Sequence, residues 1–349
     1  MSPRPKRVTR FTSWVDGAFD ERLGREADID LRVLPVPSTA AAAYAALGDA
    51  HVFHVSAAKD ELPAFCHVSD ELLSHCPQLL CVSSYGAGYD PIDVPSCTRA
   101  GVAVVNQSGG NAVSVAEHAL GLILSVAHRI TESDRRLRHE RGFSREDLTG
   151  RELAGKTLGV VGIGNTGRRV AALGAAFGMT VLATDPFVAP DEIARRGARA
   201  VSLDELLAQS DIVSLHCPRD PSTLKMIDAG AYARMKRGAI FVSTARGGIH
   251  DEHALAQALA SGQVAGAGLD VWDQEPPPLD HPLLRFPTVV ATYHTAGVTT
   301  EARRNMASIS AEQIVTLLGG ARPPRLVNPE VWPVYATRFA QILGRPVVG

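Results

Sequence analysis

The feature that most restricts this chain is a glycine run at its centre. Leu158-Gly159-Val160-Val161 leads directly into Gly162-Ile163-Gly164-Asn165-Thr166-Gly167. A strand pattern precedes the glycines and a helical pattern, Arg168–Phe177, follows them. A second strand pattern then ends at Asp185, 18 residues after Gly167. A dinucleotide-binding βαβ unit places an acidic residue at about this offset, roughly 20 residues on. The glycines differ in what they permit. Gly162 allows a tight turn, Gly164 lets a pyrophosphate approach the backbone, and Gly167 lets helix and strand pack closely. The helix start adds free N–H groups and the positive end of its dipole. Asp185 would accept hydrogen bonds from a ribose 2′-OH and repel a 2′-phosphate, which favours NAD over NADP. The competing reading is a glycine turn that closes a strand, with Asp185 serving the turn before Pro186.

Short β-rich runs alternate with helical stretches along most of the 349 residues. Leu31–Leu34, His51–Val55, Leu79–Ser83 and Val102–Asn106 read as strands, with helices at Ser38–Leu47 and Ser69–His75. The rhythm repeats at Thr157–Gly162, Thr180–Thr184, Asp211–Leu215, Ala239–Ser243, Ala265–Leu269 and Thr288–Ala291. Such alternation implies α/β architecture with doubly wound parallel sheets. A long helical pattern runs from about Asn111 to Arg138, with Val115, Ala119, Leu122 and Val126 apolar at helical spacing, and another covers Thr300–Leu318. Glu140–Leu153 reads as a polar loop, and the proline-rich tail 319–349 as a surface wrap.

Composition removes several classes. A net charge of −2 gives no general polyanion binder, so no nucleic acid is expected. The basic start, Arg4, Lys6, Arg7 and Arg10, has no apolar stretch after it and reads as a frayed terminus rather than a secretory signal. Apolar runs such as 119–127 are too short to span a bilayer. The five cysteines form no CxxC pair, which fits reduced thiols in a cytoplasmic protein better than disulfides or zinc. His250 and His253 lack a third ligand at sensible spacing, so no metal is expected.

Three further segments end strand patterns in the second half. They are Ser243-Thr244-Ala245-Arg246-Gly247-Gly248, Leu269-Asp270-Val271-Trp272-Asp273-Gln274-Glu275-Pro276, and Thr292-Tyr293-His294-Thr295-Ala296-Gly297. Ligands of open α/β sheets sit beyond the carboxyl ends of strands, so Arg246, Glu275 and His294 could converge there. A guanidinium can grip a carboxylate with two hydrogen bonds. An imidazole can exchange a proton with a hydroxyl or carbonyl oxygen, and a carboxylate can orient it and favour its protonated form. Taken singly, each has an ordinary reading as a surface charge, a loop residue before prolines, or a structural histidine.

The motifs taken together resemble the D-isomer-specific 2-hydroxyacid dehydrogenases from about Leu79 to Met306. The resemblance rests on 85–90 (YGAGYD), 111–118 (NAVSVAEH), the glycine loop, 215–218 (LHCP), 244–248 (TARGG), 268–271 (GLDV), Glu275-Pro276 and 294–297 (HTAG). It implies Arg246, Glu275 and His294 as the catalytic trio acting on a small 2-hydroxy or 2-oxo acid. It implies NAD contacts from Gly162, Gly164, Asn165, Thr166, Gly167, Asp185, Cys217, Pro218, Thr223, Thr244, Ala245, Arg246, Asp270, His294 and Gly297. Cys217 would offer backbone rather than thiol. Backbone N–H groups near Tyr85, Gly86 and Ala87 would face the substrate carboxylate, which Arg246 would also hold. The implied architecture inserts a Rossmann NAD domain, 108–299, into a flavodoxin-like substrate domain, 1–107 with 300–349. Two long helices would cross the hinge, and a homodimer is usual. His118 is expected to pack between domains, and Asn111 either to touch substrate or to cap a helix.

Departures from the pattern bear on the substrate. Tyr293 stands where many relatives have proline, and Glu275 where relatives acting on formate have glutamine. Phosphoglycerate enzymes usually carry a basic residue at the position of Ser84. Its absence, with Val55 earlier, points away from a phosphorylated substrate. The chain also ends without the regulatory domain that many phosphoglycerate enzymes carry, a minor point because short forms exist. Two alternatives stay open: a short-form D-3-phosphoglycerate dehydrogenase, and a redox-sensing corepressor that uses NAD occupancy to control partner docking.

Overall fold

The computed structural model describes residues 5–348. It contains two compact units, one formed by residues up to Asn111 together with those from Thr299 onward, the other by Ala112–Val298. Each is built on a wholly parallel sheet.

The first unit holds β1 (Lys6–Phe11), β2 (Ile29–Leu34), β3 (Val52–Val55), β4 (Cys81–Ser84) and β5 (Ala103–Val105), in the order β2-β1-β3-β4-β5. This is the flavodoxin-like order, with its reversal between β1 and β3. Strand residues alternate between two apolar layers, as the two-residue period requires. Phe11, Phe53, Val55, Val82 and Val104 face a core with Ala43, Leu47 and Leu72. Val8, Val52, Cys81 and Ala103 face Phe19, Ala307, Ala311, Ile314, Tyr335 and Phe339.

Two expectations fail here. The basic start is no frayed terminus: Lys6–Phe11 is an interior strand, and Arg10 is only 7% exposed. Its charges are answered by acids on neighbouring segments. Lys6 pairs with Asp28 at 2.6 Å, Arg7 with Asp49, and Arg10 with Asp20 at 3.2 Å. Arg4 lies outside the described residues. The tail is not only a surface wrap either. Pro333 sits in the first turn of a helix, Trp332–Leu343, whose Tyr335 and Phe339 are fully buried. Proline is tolerated there because the first N–H groups of a helix have no internal partner.

The second unit holds β6 (Thr157–Val161), β7 (Thr180–Thr184), β8 (Arg199–Ala200), β9 (Ile212–Leu215), β10 (Ala239–Ser243), β11 (Val264–Leu269) and β12 (Val289–Ala291), in the order β12-β11-β10-β9-β6-β7-β8. Counted from β6 this is the Rossmann order, extended by one strand, with the reversal between β6 and β9. Val161, Val213, Leu215, Phe241 and Leu269 face one apolar layer. Leu158, Val160, Ile212 and Val242 face the other, against Ala119, Leu122 and Ile123. The long helical pattern after Asn111 is two helices, Ala112–Ala127 and Ile130–His139, bent by 60° where Arg129 takes a left-handed φ of 54°. No single helix among the described residues is long and apolar enough to cross a membrane.

Candidate active site

The glycine loop leaves β6 at the reversal point of the sheet and enters the helix Gly167–Ala176. Gly162 has a φ of 86°, and a Cβ there would lie 2.7 Å from the Cys217 nitrogen on the loop after β9. A Cβ on Gly167 would lie 2.0 Å from the Gly162 carbonyl oxygen. At Gly164 a Cβ would meet nothing within 4 Å. Two glycines are thus demanded by the protein's own backbone, while the third leaves an open cradle. That pattern fits a dinucleotide whose pyrophosphate approaches the main chain. Asp185, just beyond β7, is fixed from both sides: Ile163 N–H donates to Oδ2 at 3.0 Å and Phe187 N–H to Oδ1 at 3.0 Å.

Further along the same edge, Cys217 and Pro218 follow β9. Thr223 braces that loop by donating to the Pro218 carbonyl at 2.9 Å. Thr244 and Ala245 follow β10, and Arg246 Nη1 donates to the Ala245 carbonyl at 2.7 Å. Gly247 is required by crowding, since a Cβ would lie 1.9 Å from the Trp272 carbonyl oxygen.

His294 and Glu275 meet at the ends of β12 and β11. His294 Nδ1 and Glu275 Oε2 are 2.7 Å apart, and Trp272 N–H donates to Glu275 Oε1 at 3.0 Å. With Nδ1 committed to the carboxylate, Nε2 of His294 has no protein partner among the described residues. The His294 side chain is 33% exposed and that of Glu275 17%. Burial pushes the Glu275 carboxyl up, but the His294 hydrogen bond, the charges of His294 and Arg246 and the Trp272 N–H outweigh it and hold it below the ordinary value. Burial pulls His294 down, yet the hydrogen bond and charge of Glu275 leave it raised, with Arg246 opposing and Asp270 assisting. Arg246 thus bears electrostatically on both members of the His294–Glu275 pair.

His294 has a left-handed φ of 47°, which costs a non-glycine residue about 1–3 kcal/mol. Asp270 enforces it. This fully buried residue accepts His294 N–H on its carbonyl at 2.7 Å. Its carboxylate takes Thr292 Oγ1 at 2.6 Å, Thr295 N–H at 2.8 Å and Ala296 N–H at 2.9 Å. Asp270, expected among the NAD contacts, also anchors the loop 292–296, which runs on to Gly297. His118, expected to pack between domains, meets Thr292 Oγ1 at 3.0 Å within the second unit.

In the first unit the loop after β4 carries Tyr85, Gly86 and Ala87. Tyr85 N–H donates to the Val55 carbonyl at 3.0 Å, and Gly86 N–H reaches Ser84 Oγ at 3.3 Å. Among the described residues the N–H groups of Ala87, within the expected set, and of Gly88 beside it meet no acceptor. Gly86 is needed for packing, a Cβ there lying 2.5 Å from the Ala57 Cβ. Tyr85 instead points its hydroxyl to Glu61 Oε2 at 2.7 Å. His250 is fully buried beside Phe241, and His253 contacts Gln257.

Comparison with known proteins identifies the family. Residues 120–296 match the description "D-isomer specific 2-hydroxyacid dehydrogenase, NAD binding domain". The chain is 42% identical over 267 residues to a D-3-phosphoglycerate dehydrogenase of Archaeoglobus fulgidus, an alignment covering 76% of this chain and 50% of that one. It is 40% identical over 267 residues to a glyoxylate reductase of Korarchaeum cryptofilum, covering 76% of this chain and 80% of that one. The crystal structure of a glyoxylate reductase from Paecilomyes thermophila superposes with a TM-score of 0.82 at 29% identity, covering 93% of this chain and 99% of that one. The chain spans about half the length of the phosphoglycerate dehydrogenases it matches. With two parallel sheets, the glycine loop and the Arg246, Glu275 and His294 motifs in order, it belongs to the D-isomer specific 2-hydroxyacid dehydrogenase family and carries that family's NAD-binding domain.

Proposed function

We propose that this protein reduces a small, unphosphorylated 2-oxo acid with NADH, and oxidises the corresponding 2-hydroxy acid in reverse. The observation that carries the reading is the His294–Glu275 pair, 2.7 Å apart with Nε2 left open, on the same sheet edge as the glycine cradle. Bound NADH supplies the hydride. Gly162, Gly164, Asn165, Thr166 and Gly167 would hold its pyrophosphate, and Asp185 its ribose. Cys217, Pro218, Thr223, Thr244, Ala245 and Gly297 would line the remainder. Asp270 contributes by shaping the loop of His294. Arg246 would grip the substrate carboxylate as a fork of donors. Protonated His294 gives its Nε2 proton to the oxygen that gains charge in reduction, and takes it back in oxidation. Glu275 holds the ring by Nδ1 and favours the imidazolium. Family usage supports a homodimer, and five cysteines with no disulfide support a cytoplasmic location.

A phosphoglycerate dehydrogenase is the second reading, favoured by the 42% identity to such an enzyme. Against it, Ser84 replaces a basic residue and spends its hydroxyl on the Gly88 carbonyl at 2.5 Å. Turnover of glyoxylate, hydroxypyruvate, pyruvate, phenylpyruvate and 3-phosphohydroxypyruvate with NADH separates the two. We expect a higher kcat/KM for an unphosphorylated acid, and a strong preference for 3-phosphohydroxypyruvate would overturn the reading. Asp185 adds a cofactor test. Its fixed carboxylate should repel the 2′-phosphate of NADPH, so NADH should be preferred and Asp185→Ser should narrow the gap. Equal use of both cofactors by the wild type would remove Asp185 from that role.

A further inference from the structure

The helix Ala112–Ala127 presents mainly small and apolar side chains to the core of the second unit, including Ala116, Ala119, Leu122 and Ile123. His118 on the same helix is partly buried, its side chain 26% exposed. Its Nε2 lies 3.0 Å from Thr292 Oγ1 and 3.6 Å from Asp270 Oδ1, across a sequence separation of 174 residues from Thr292. The direction of the hydrogen bonds follows from donor counting. The single hydroxyl proton of Thr292 is committed to Asp270 Oδ1 at 2.6 Å. The Thr292 oxygen must therefore accept from His118, and Nε2 of His118 carries the hydrogen. A chain of donors results, from His118 to Thr292 to Asp270. Asp270 in turn collects Thr295 N–H and Ala296 N–H and accepts His294 N–H on its carbonyl.

We propose that His118 is a positioning residue: by orienting the Thr292 hydroxyl onto Asp270 it holds the loop 292–296 in the shape that aims His294. This rests on the reading of His294 as the proton donor. The loop needs such a brace because His294 occupies a left-handed backbone conformation, which persists only where its surroundings over-determine it. Without the His118 donor, the Thr292 hydroxyl loses the bond that polarises its O–H toward Asp270, and the Leu269 carbonyl, 3.4 Å away, competes for the proton. The bond to Asp270 would then weaken, and His294 would lose alignment. Arg246 and the glycine cradle lie on other loops and would be undisturbed. The consequence should therefore fall on the chemical step more than on binding.

The test measures kcat and KM for glyoxylate and hydroxypyruvate, NADH affinity by fluorescence, and melting temperature. The proteins are wild type, His118→Leu, His118→Gln and His294→Ala. A displacement of about 1 Å at a reacting group can cost ~10²-fold in rate, so His118→Leu should lose about 10- to 100-fold in kcat while KM and NADH affinity move little. Glutamine can place an amide N–H where Nε2 stands, so His118→Gln should recover most of the loss. Equal impairment of the glutamine and leucine variants, or kcat unchanged in His118→Leu, would overturn the proposal. Should the leucine variant not fold, Thr292→Val against Thr292→Ser asks the same question, since only serine keeps the hydroxyl. Normal turnover by His294→Ala would instead overturn the proton-donor reading itself. An inactive His294→Ala beside a fully active His118→Leu would leave that reading standing and remove only this one.

Discussion

The second unit contains two glutamate–histidine pairs, and they differ in a way that separates a reactive site from a brace. Glu275 and His294 are 2.7 Å apart, and Glu252 and His281 are 3.0 Å apart. By distance alone they are equivalent. The Glu252–His281 pair is more enclosed, its side chains only 11% and 14% exposed. Both ring nitrogens of His281 are engaged, Nε2 with Glu252 and Nδ1 accepting Leu283 N–H at 3.3 Å, and its ring lies edge-on to Trp272. Glu252 also accepts Asp273 N–H at 2.8 Å, and its carboxyl is pushed up by burial with the nearby Asp273 charge assisting. At His294 one nitrogen is committed and the other is open, and Glu275 is held below its ordinary value. A histidine serves proton transfer when one nitrogen is oriented and the other is left for the substrate. When both are satisfied by protein, it ties loops together.

The largest effect that could break this contrast is loss of the imidazole itself. Positioned acid catalysis is worth ~10²–10⁴-fold, so His294→Ala should lower kcat for oxo-acid reduction by about that factor while NADH still binds. His281→Ala should leave kcat within about threefold but cost on the order of 1–3 kcal/mol of stability, because a buried acceptor loses its donor. Steady-state kinetics alongside urea unfolding of both variants checks this. A catalytic collapse in His281→Ala without loss of stability would erase the distinction.

A smaller effect sharpens the contrast. Reduction requires protonated His294, so kcat/KM should fall as pH rises through its pKa. Glu275 raises that pKa, and Glu275→Gln should move the alkaline limb to lower pH. Glu252→Gln should leave the limb where it is, since Glu252 is not among the groups acting on His294. Profiles of kcat/KM against pH for the two variants decide between them. An unmoved limb in Glu275→Gln would mean that Glu275 orients His294 without tuning it.

Much of the fold was open to reading because its signals are local. Strands such as Thr180–Thr184 and Ala239–Ser243 carry their apolar runs openly, and Thr300–Leu318 is a helix over the expected span. Where charge or proline dominated, the local signal misled. Lys6–Phe11 looked frayed because its partners, Asp20, Asp28 and Asp49, belong to later segments. The tail helix was hidden by Pro333, whose place in the first turn cannot be told from a break without the packing of Tyr335 and Phe339.

The same divide runs through the active site. The glycine loop and Asp185 lie within one βαβ segment, so spacing alone carries their meaning. Gly162 needs a φ of 86°, and that demand is written in the residue type. Arg246, Glu275 and His294 end three different strands, and their meaning came from family motifs rather than from local physics. What no motif contained was the state of each donor and acceptor. The anchoring of the His294 loop by Asp270, the open N–H groups of Ala87 and Gly88, and the link from His118 to Thr292 depend on which groups meet within each folded unit. Hydrogen-bond satisfaction is a property of atoms brought together from distant parts of the chain. Local pattern can nominate a residue for chemistry, but the folded contacts leave one histidine open and close the other.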